Sequence, residues 1–279
     1  MRAFFHRLWQ LSRGLTQRYF AHGVGRDAAA MAYYMLFSLF PSLIILSKLL
    51  AQAQVQLHEL LLSLQSVLPP GVTELVEEYL HYAGEGGSQG ILSVSLLFTI
   101  YFPLRTAHAL VHSVRKAMGC SRDTGLLRYV GQLLFYTVLL ALAMVFTGFV
   151  LLSGQEILQH ILPDLFFSVA GIWLWDRLRF FFLGLFMLGA LLGLYCLALP
   201  GRGGVWKALP GALGALVAWL LSSGIFAFYL SHWGNYTKLY GSIATVMVTL
   251  FWLWLSSVTV IMGAELNGLC MEKKEGQST

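Results

Sequence analysis

Charge is scarce in this chain. Only 11% of its 279 residues are Asp, Glu, Lys or Arg, whereas 57% are hydrophobic, and the mean hydropathy is +0.70. A soluble domain carries about 25% charged residues, so this composition excludes an ordinary water-soluble globule. Cysteine is also scarce: Cys120, Cys196 and Cys270 have no metal-ligand spacing, which argues against a zinc site or a disulfide framework. Low-complexity tracts and internal repeats are missing, so linker-built and repeat architectures fall away. The longest piece between apolar runs, about 52–89, is too short and too apolar for an independent domain. One helical membrane domain spanning 1–279 is expected, with a basic interfacial segment at 1–27, a core at 28–264 and a tail at 265–279.

What is present in abundance is long apolar sequence. Six stretches, at about Ala28–Ala51, Gly90–Leu110, Leu126–Leu152, Phe180–Leu199, Val205–Leu230 and Gly241–Ala264, reach the roughly 20 residues that a helix needs to cross a bilayer. The second does so only by including Arg105 and His108. The fold class predicted is all-α, a polytopic membrane protein with six transmembrane helices.

The loops between these stretches set the orientation. Arg2, Arg7, Arg13, Arg18 and Arg26 precede the first span, and Arg105, Arg115, Lys116, Arg122 and Arg128 surround the second loop. With Arg202, Lys207, Lys273 and Lys274 they place 14 of 18 basic residues on one side. Basic loops resist translocation, so that side is predicted to be cytoplasmic, with both termini inside. The three cysteines fall on the same side or at its helix ends. The net charge of +5 then describes a face suited to anionic lipid. Nucleic acid is not an expected partner, because these charges flank helix ends and no RNA-binding motif accompanies them.

Two segments outside the spans are expected to lie in the interface. The first 27 residues are no cleavable signal, since their Arg-rich part precedes a long apolar run. Phe5, Leu8, Leu15 and Tyr19 share one helical face opposite Arg2, His6, Arg13 and Gln17, which suits an amphipathic interfacial helix or a helix docked on the other spans. In the first outer loop Leu57, Leu61, Leu64 and Leu68 keep helical spacing before Pro69-Pro70-Gly71, and a second short helix follows.

Within the spans, Pro41 frees a backbone carbonyl one turn earlier and Ser38 is placed to help satisfy it. Gly189 and Gly193, then Gly214, Ala218 and Ser222, form small-residue stripes for close helix contact. On the sixth span Ser242, Thr245, Thr249, Trp252, Ser256, Thr259 and Gly263 share a face. Its hydroxyls either line a polar path or hydrogen-bond to adjacent helices. Ionisable residues inside a membrane are functional candidates by default. They include Lys48 near an outer helix end, Arg105 a turn or two inside the inner boundary, and Glu265 with Asn267 at the end of the sixth span. Glu265 is expected to pair with Arg105 or another inner basic group, or to rest among the headgroups. His108 and His112 have the spacing of two ligands on a helix but lack a companion carboxylate. No metal or cofactor is expected. No carboxylate falls near the middle of any span, which weighs against a proton- or sodium-driven carrier.

Several motifs resemble the YihY/BrkB family of bacterial inner-membrane proteins. They are Tyr33-Tyr34 followed by Phe37-Ser38-Leu39-Phe40-Pro41, Leu209-Pro210-Gly211-Ala212, Phe228-Tyr229, Asn235-Tyr236-Thr237-Lys238-Leu239-Tyr240-Gly241-Ser242, and Gly263-Ala264-Glu265-Leu266-Asn267. The likeness runs from about Leu8 to Met271, and the second span, with Pro103 and Arg105, is its loosest part. It implies six helices with both ends cytoplasmic. The family carries two labels, a virulence factor linked to serum resistance and ribonuclease BN, and some members are connected with envelope lipid movement.

The expected activity is non-enzymatic movement or organisation of a lipid or other amphiphile, with membrane lipids as partners. A scaffold for envelope proteins, acting as a homo-oligomer or with a heteromeric partner, is the alternative. The polar or lipid-contacting residues would be Tyr33, Tyr34, Ser38 and Pro41, then Arg105, then Tyr240, Ser242, Thr245, Thr249, Ser256, Thr259, Glu265 and Asn267. No catalytic residue is assigned. Metal-dependent RNA cleavage needs clustered acidic or histidine ligands, and Asp27, Asp123, Glu265, Glu272 and Glu275 are scattered over different helix ends.

Overall fold

In the computed structural model the described residues are 2–52, 89–119, 131–132, 134–138, 169–198, 204–233 and 242–275. Among them every regular element is helical. The named helices are α1 (Arg2–His22), α2 (Val24–Gln52), α3 (Gln89–Ala117), α4 (Val169–Ala198), α5 (Val205–Trp233) and α6 (Ser242–Glu275). Four segments of the described residues are long and apolar enough to cross a membrane: Ser93–Ala117, Phe181–Ala198, Val205–Leu230 and Ile243–Glu272. Most of the third expected span, the outer-loop helices between 53 and 88, and Tyr240 lie outside the described residues.

Glycine sets the first boundary. Gly23 has φ 68°, a left-handed conformation that side chains resist. It ends α1 through its N–H to the Phe20 carbonyl, and its own carbonyl accepts from Arg26 and Asp27 at 3.0 and 3.1 Å to start α2. Asp27 sits in the first turn of α2, where a carboxylate suits the positive end of the helix dipole. Gly119, with φ 66°, closes α3 in the same manner by donating to the Lys116 carbonyl.

Packing is concentrated at one end of the bundle. Val24, Ala28 and Met31 open α2; Ala107, Leu110, Val111 and Val114 lie in the last half of α3; Leu191, Leu194 and Tyr195 close α4; Ala208, Ala212 and Ala215 open α5. All join one core with Ile261 and Ala264 of α6. α6 lies against α1, α2, α3 and α5. At the other end Leu97, Phe98, Phe181, Leu221, Ile225 and Phe251 are exposed. Apolar surface of that kind is tolerable in lipid, where it displaces no water on burial.

The tightest seam joins α5 to α6. A Cβ on Gly211 would collide with the Gly263 carbonyl and Asn267, and a Cβ on Gly263 would meet Ala215 at 2.6 Å and the Gly211 carbonyl at 2.7 Å. Two glycines facing each other let the backbones approach as larger residues could not. Gly211 belongs to Leu209-Pro210-Gly211-Ala212 and Gly263 to the run ending in Asn267, so two separate motifs meet across one contact. By contrast Gly189 is exposed on α4.

Candidate functional site

Three polar arrangements stand out, two of them sealed and one open. The first is built on Glu265, which is 1% exposed at the meeting of α1, α3 and α6. Arg18 and His22, one turn apart on α1, face it together. Arg18 Nη1 donates to Glu265 Oε2 at 3.0 Å and to the Ala117 carbonyl at 3.0 Å, while Nη2 pairs with Glu272. His22 Nδ1 lies 2.5 Å from Glu265 Oε1. Lys116 Nζ donates to the His22 carbonyl at 2.5 Å, tying α3 to the end of α1. The Ala117 carbonyl closes α3, so Arg18 also serves the negative end of a helix dipole.

This cluster decides how α1 sits. Leu15, Arg18, Tyr19 and His22 turn inward, and Gly14 is within reach of Leu269. Trp9, Arg13, Gln17 and Phe20 are exposed. α1 is therefore docked on α6 and α2. Glu265 takes Arg18 and His22, not Arg105, as its partners. The two bases at an interval of four, next to Leu15 and Tyr19, were the available sign that the inward face of α1 carries charge.

The second arrangement is Asn267, wholly buried. Its Oδ1 accepts from the Gly211 N–H at 2.7 Å and its Nδ2 donates to the Ala208 carbonyl at 3.0 Å. An amide bridging both backbone directions around Pro210 fastens α6 to the opening turns of α5. Nearby, the Tyr195 hydroxyl donates to the Val260 carbonyl at 2.6 Å. Trp254 Nε1 donates to the Gly25 carbonyl at 3.1 Å. Ser113 Oγ donates to Asp27 at 3.2 Å. These residues hold the packed end together, yet nothing in their one-dimensional spacing points to those partners.

The hydroxyl face of α6 is largely engaged within the protein. Ser256 Oγ accepts from Trp219 Nε1 at 3.1 Å; Thr259 Oγ1 donates to the Ser256 carbonyl at 2.7 Å and is buried. Thr245 is also buried, and Thr249 half-buried. Ser242 opens the helix. On α2, Ser38 Oγ donates to the Met35 carbonyl at 2.7 Å, while Pro41 stands inside the helix.

The third arrangement is open. Tyr33 stands over Phe37 at 4.5 Å and edge-on to Tyr34 at 5.6 Å. Phe37 reaches across to Phe102 at 5.8 Å, and Phe102 contacts Phe98 and Tyr101 at 5.4 Å each. Arg105 extends this aromatic ladder: its Nε donates to the Tyr101 hydroxyl at 3.1 Å, with the guanidinium 5.5 Å from the ring centre. Tyr33, Phe37, Phe98, Tyr101 and Arg105 are all exposed. The structure thus brings Tyr33, Tyr34 and Arg105 onto one surface and leaves Glu265 and Asn267 in the sealed end. His108 and His112, on the same face of α3, have parallel rings 6.4 Å apart. Among the described residues no group of three or more His, Cys, Asp or Glu converges on a common point.

The comparisons agree with the membrane architecture. The family described as Virulence factor BrkB matches residues 15–279. The chain is similar to the ribonuclease-like protein YfkH of Bacillus subtilis strain 168, 29% identical over 270 residues, which are 94% of this chain and 95% of that one. It is 30% identical over 274 residues to a UPF0761 membrane protein of Stenotrophomonas maltophilia strain R551-3, covering 91% of this chain and 59% of that one. The chain thus spans about three fifths of the length of that longer relative. No solved structure matches. With four apolar helices of membrane-crossing length and a family match over nearly its whole length, the chain is a membrane protein that belongs to the Virulence factor BrkB family.

Proposed function

We propose that this is a multi-pass protein of the bacterial inner membrane that moves or organises an amphiphile without chemical turnover. The observation that carries the reading is the open ladder from Tyr33 to Arg105: polar and aromatic groups exposed on apolar helices where lipid would lie. Aromatic side chains with a polar tip suit a path that is apolar along its length and hydrated at intervals. Glu265, the acid nearest to a catalytic role, is committed to Arg18 and His22. The word ribonuclease belongs to the name of YfkH.

The six-span arrangement with both termini cytoplasmic is part of the proposal. Tyr136 donates to the Leu194 carbonyl at 2.8 Å and Gln132 to that of Leu197 at 3.0 Å, so 131–138 meets the end of α4. α4 begins at Val169, about 38 Å away at 1.5 Å per residue, a separation that the proposed third span would cover. The basic residues around α1 and the end of α3 fit the inner leaflet. Exposed Trp9 and Phe20 would place α1 in the headgroup layer while its other face stays docked.

Reconstitution into liposomes with fluorescent lipids of several headgroups tests the activity. Accelerated transbilayer movement is expected; no acceleration with any headgroup would count against it. A scaffold reading draws on exposed Gly189, one turn from Gly193 on α4. Crosslinking in native membranes separates the two readings: a single reproducible heteromeric partner would favour the scaffold.

A further inference from the structure

We propose that Arg105, backed by Tyr101 and flanked by His108 and His112, binds the phosphate group of an anionic amphiphile lying along α3. The proposal rests on the amphiphile reading above and adds to it a headgroup chemistry and an address.

Arg105 stands at the middle of the span Ser93–Ala117, 12 residues from each end, or about 18 Å at 1.5 Å per residue. The hydrogen bond to Tyr101 turns the guanidinium toward the preceding turn, away from Arg115 and Lys116 at the helix end. An exposed guanidinium within an apolar span costs up to about 2.5–3.5 kcal/mol by insertion scales unless something compensates it.

Among the described residues no carboxylate pairs with it. There is none between Glu85 and Asp123, between Asp123 and Glu156, or between Asp176 and Glu265. Asp27 is held by Ser113 and Arg26, and Glu265 by Arg18 and His22. Among the described residues the guanidinium spends one N–H on Tyr101 and keeps its planar terminal fork for an external acceptor. His108 and His112 follow on the same exposed face at i+3 and i+7, and the His112 ring N–H adds a donor that a phosphate's several oxygens can use. Exposed Leu97 and Ile100 on α3 and Phe37 on α2 supply the surface for acyl chains.

Equilibrium binding of radiolabelled dioctanoyl phosphatidate to the detergent-purified full chain tests the site. Saturable binding is expected, weakened about tenfold in Arg105→Gln, as the loss of a charge-assisted fork implies, with unchanged thermal melting. Dioctanoylglycerol, which lacks the phosphate, is expected to bind wild type at least about tenfold more weakly; equal binding overturns the proposal whether or not the variant folds. Equal phosphatidate affinity in wild type and R105Q overturns it too. So does inorganic phosphate competing at the same concentration as phosphatidate, which would mark a free-phosphate site, or octanoate binding as tightly. Loss of a dimer in R105Q with unaltered phosphatidate affinity would assign the face to a second copy. Phosphatidate held through Arg105 without lipid movement in liposomes removes the movement reading and keeps the site. Movement and binding both untouched by R105Q do the reverse.

Discussion

At the packed end of the bundle Glu265 is 1% exposed and has two basic side chains within 3.0 Å, whereas Arg105, exposed on α3, meets only a tyrosine among the described residues. Both are ionisable groups in apolar helices. The first is compensated inside the fold, and its removal exposes buried charge. The second has no counter-charge among the described residues. On the proposed reading, charge placed for architecture and charge placed for binding differ in whether the fold itself supplies the counter-charge.

The strongest way to break this contrast is Glu265→Ala. It takes the carboxylate from His22 and leaves Arg18 only Glu272 and the Ala117 carbonyl, and removal of one member of a buried ion pair costs about 3–5 kcal/mol. Sharply reduced yield and a lower melting temperature in detergent are expected, and wild-type melting would show that the cluster is not what holds α1. Next is Gly211→Ala, whose Cβ would overlap the Gly263 carbonyl and Asn267. Forcing that seam apart costs about 1–3 kcal/mol, visible as a lower midpoint of thermal unfolding, whereas Gly189→Ala on the open face of α4 is expected to leave it unmoved. Trp219→Phe removes the donor to Ser256 while keeping most of the ring. A loss of about 0.5–1.5 kcal/mol is expected, measured as the same midpoint. The smallest effect on stability belongs to Arg105→Leu, which deletes a charge without a counter-charge among the described residues: melting is expected to stay level or rise. A fall comparable to that of Glu265→Ala would mean that Arg105 is structural and would erase the contrast.

Much of the architecture was legible in the chain itself. Helices α2, α3, α4 and α5 occupy four of the expected spans, and α6 covers a fifth and extends past Ala264 to Glu275. The third span lies mostly outside the described residues. Hydrophobic length is a local property, so it reads directly from sequence. Glu265 and Asn267 were also recognisable as unusual. Their partners were not, because Arg18 and Glu265 are 247 residues apart and Asn267 and Gly211 are 56 apart. The face of α1 that turns inward carries Arg18 and His22 beside Leu15 and Tyr19, so polarity alone did not reveal its docking.

The hydroxyls of α6 teach a related lesson. Their spacing defines a face but not what it meets, and only the position of α5 shows that Ser256 receives the Trp219 indole. Likewise Tyr33 and Arg105 lie on different helices, and their shared surface exists only because Phe37 reaches Phe102.

Sequence alone determined that the chain belongs in lipid and forms long helices, since backbone groups without water must bond within their own segment. Tertiary structure decided which polar side chains are spent on the fold and which are left at its surface. Pairing depends on how helices cross, and in apolar surroundings that crossing follows from close packing of small residues such as Gly211 and Gly263, not from any periodicity along one helix.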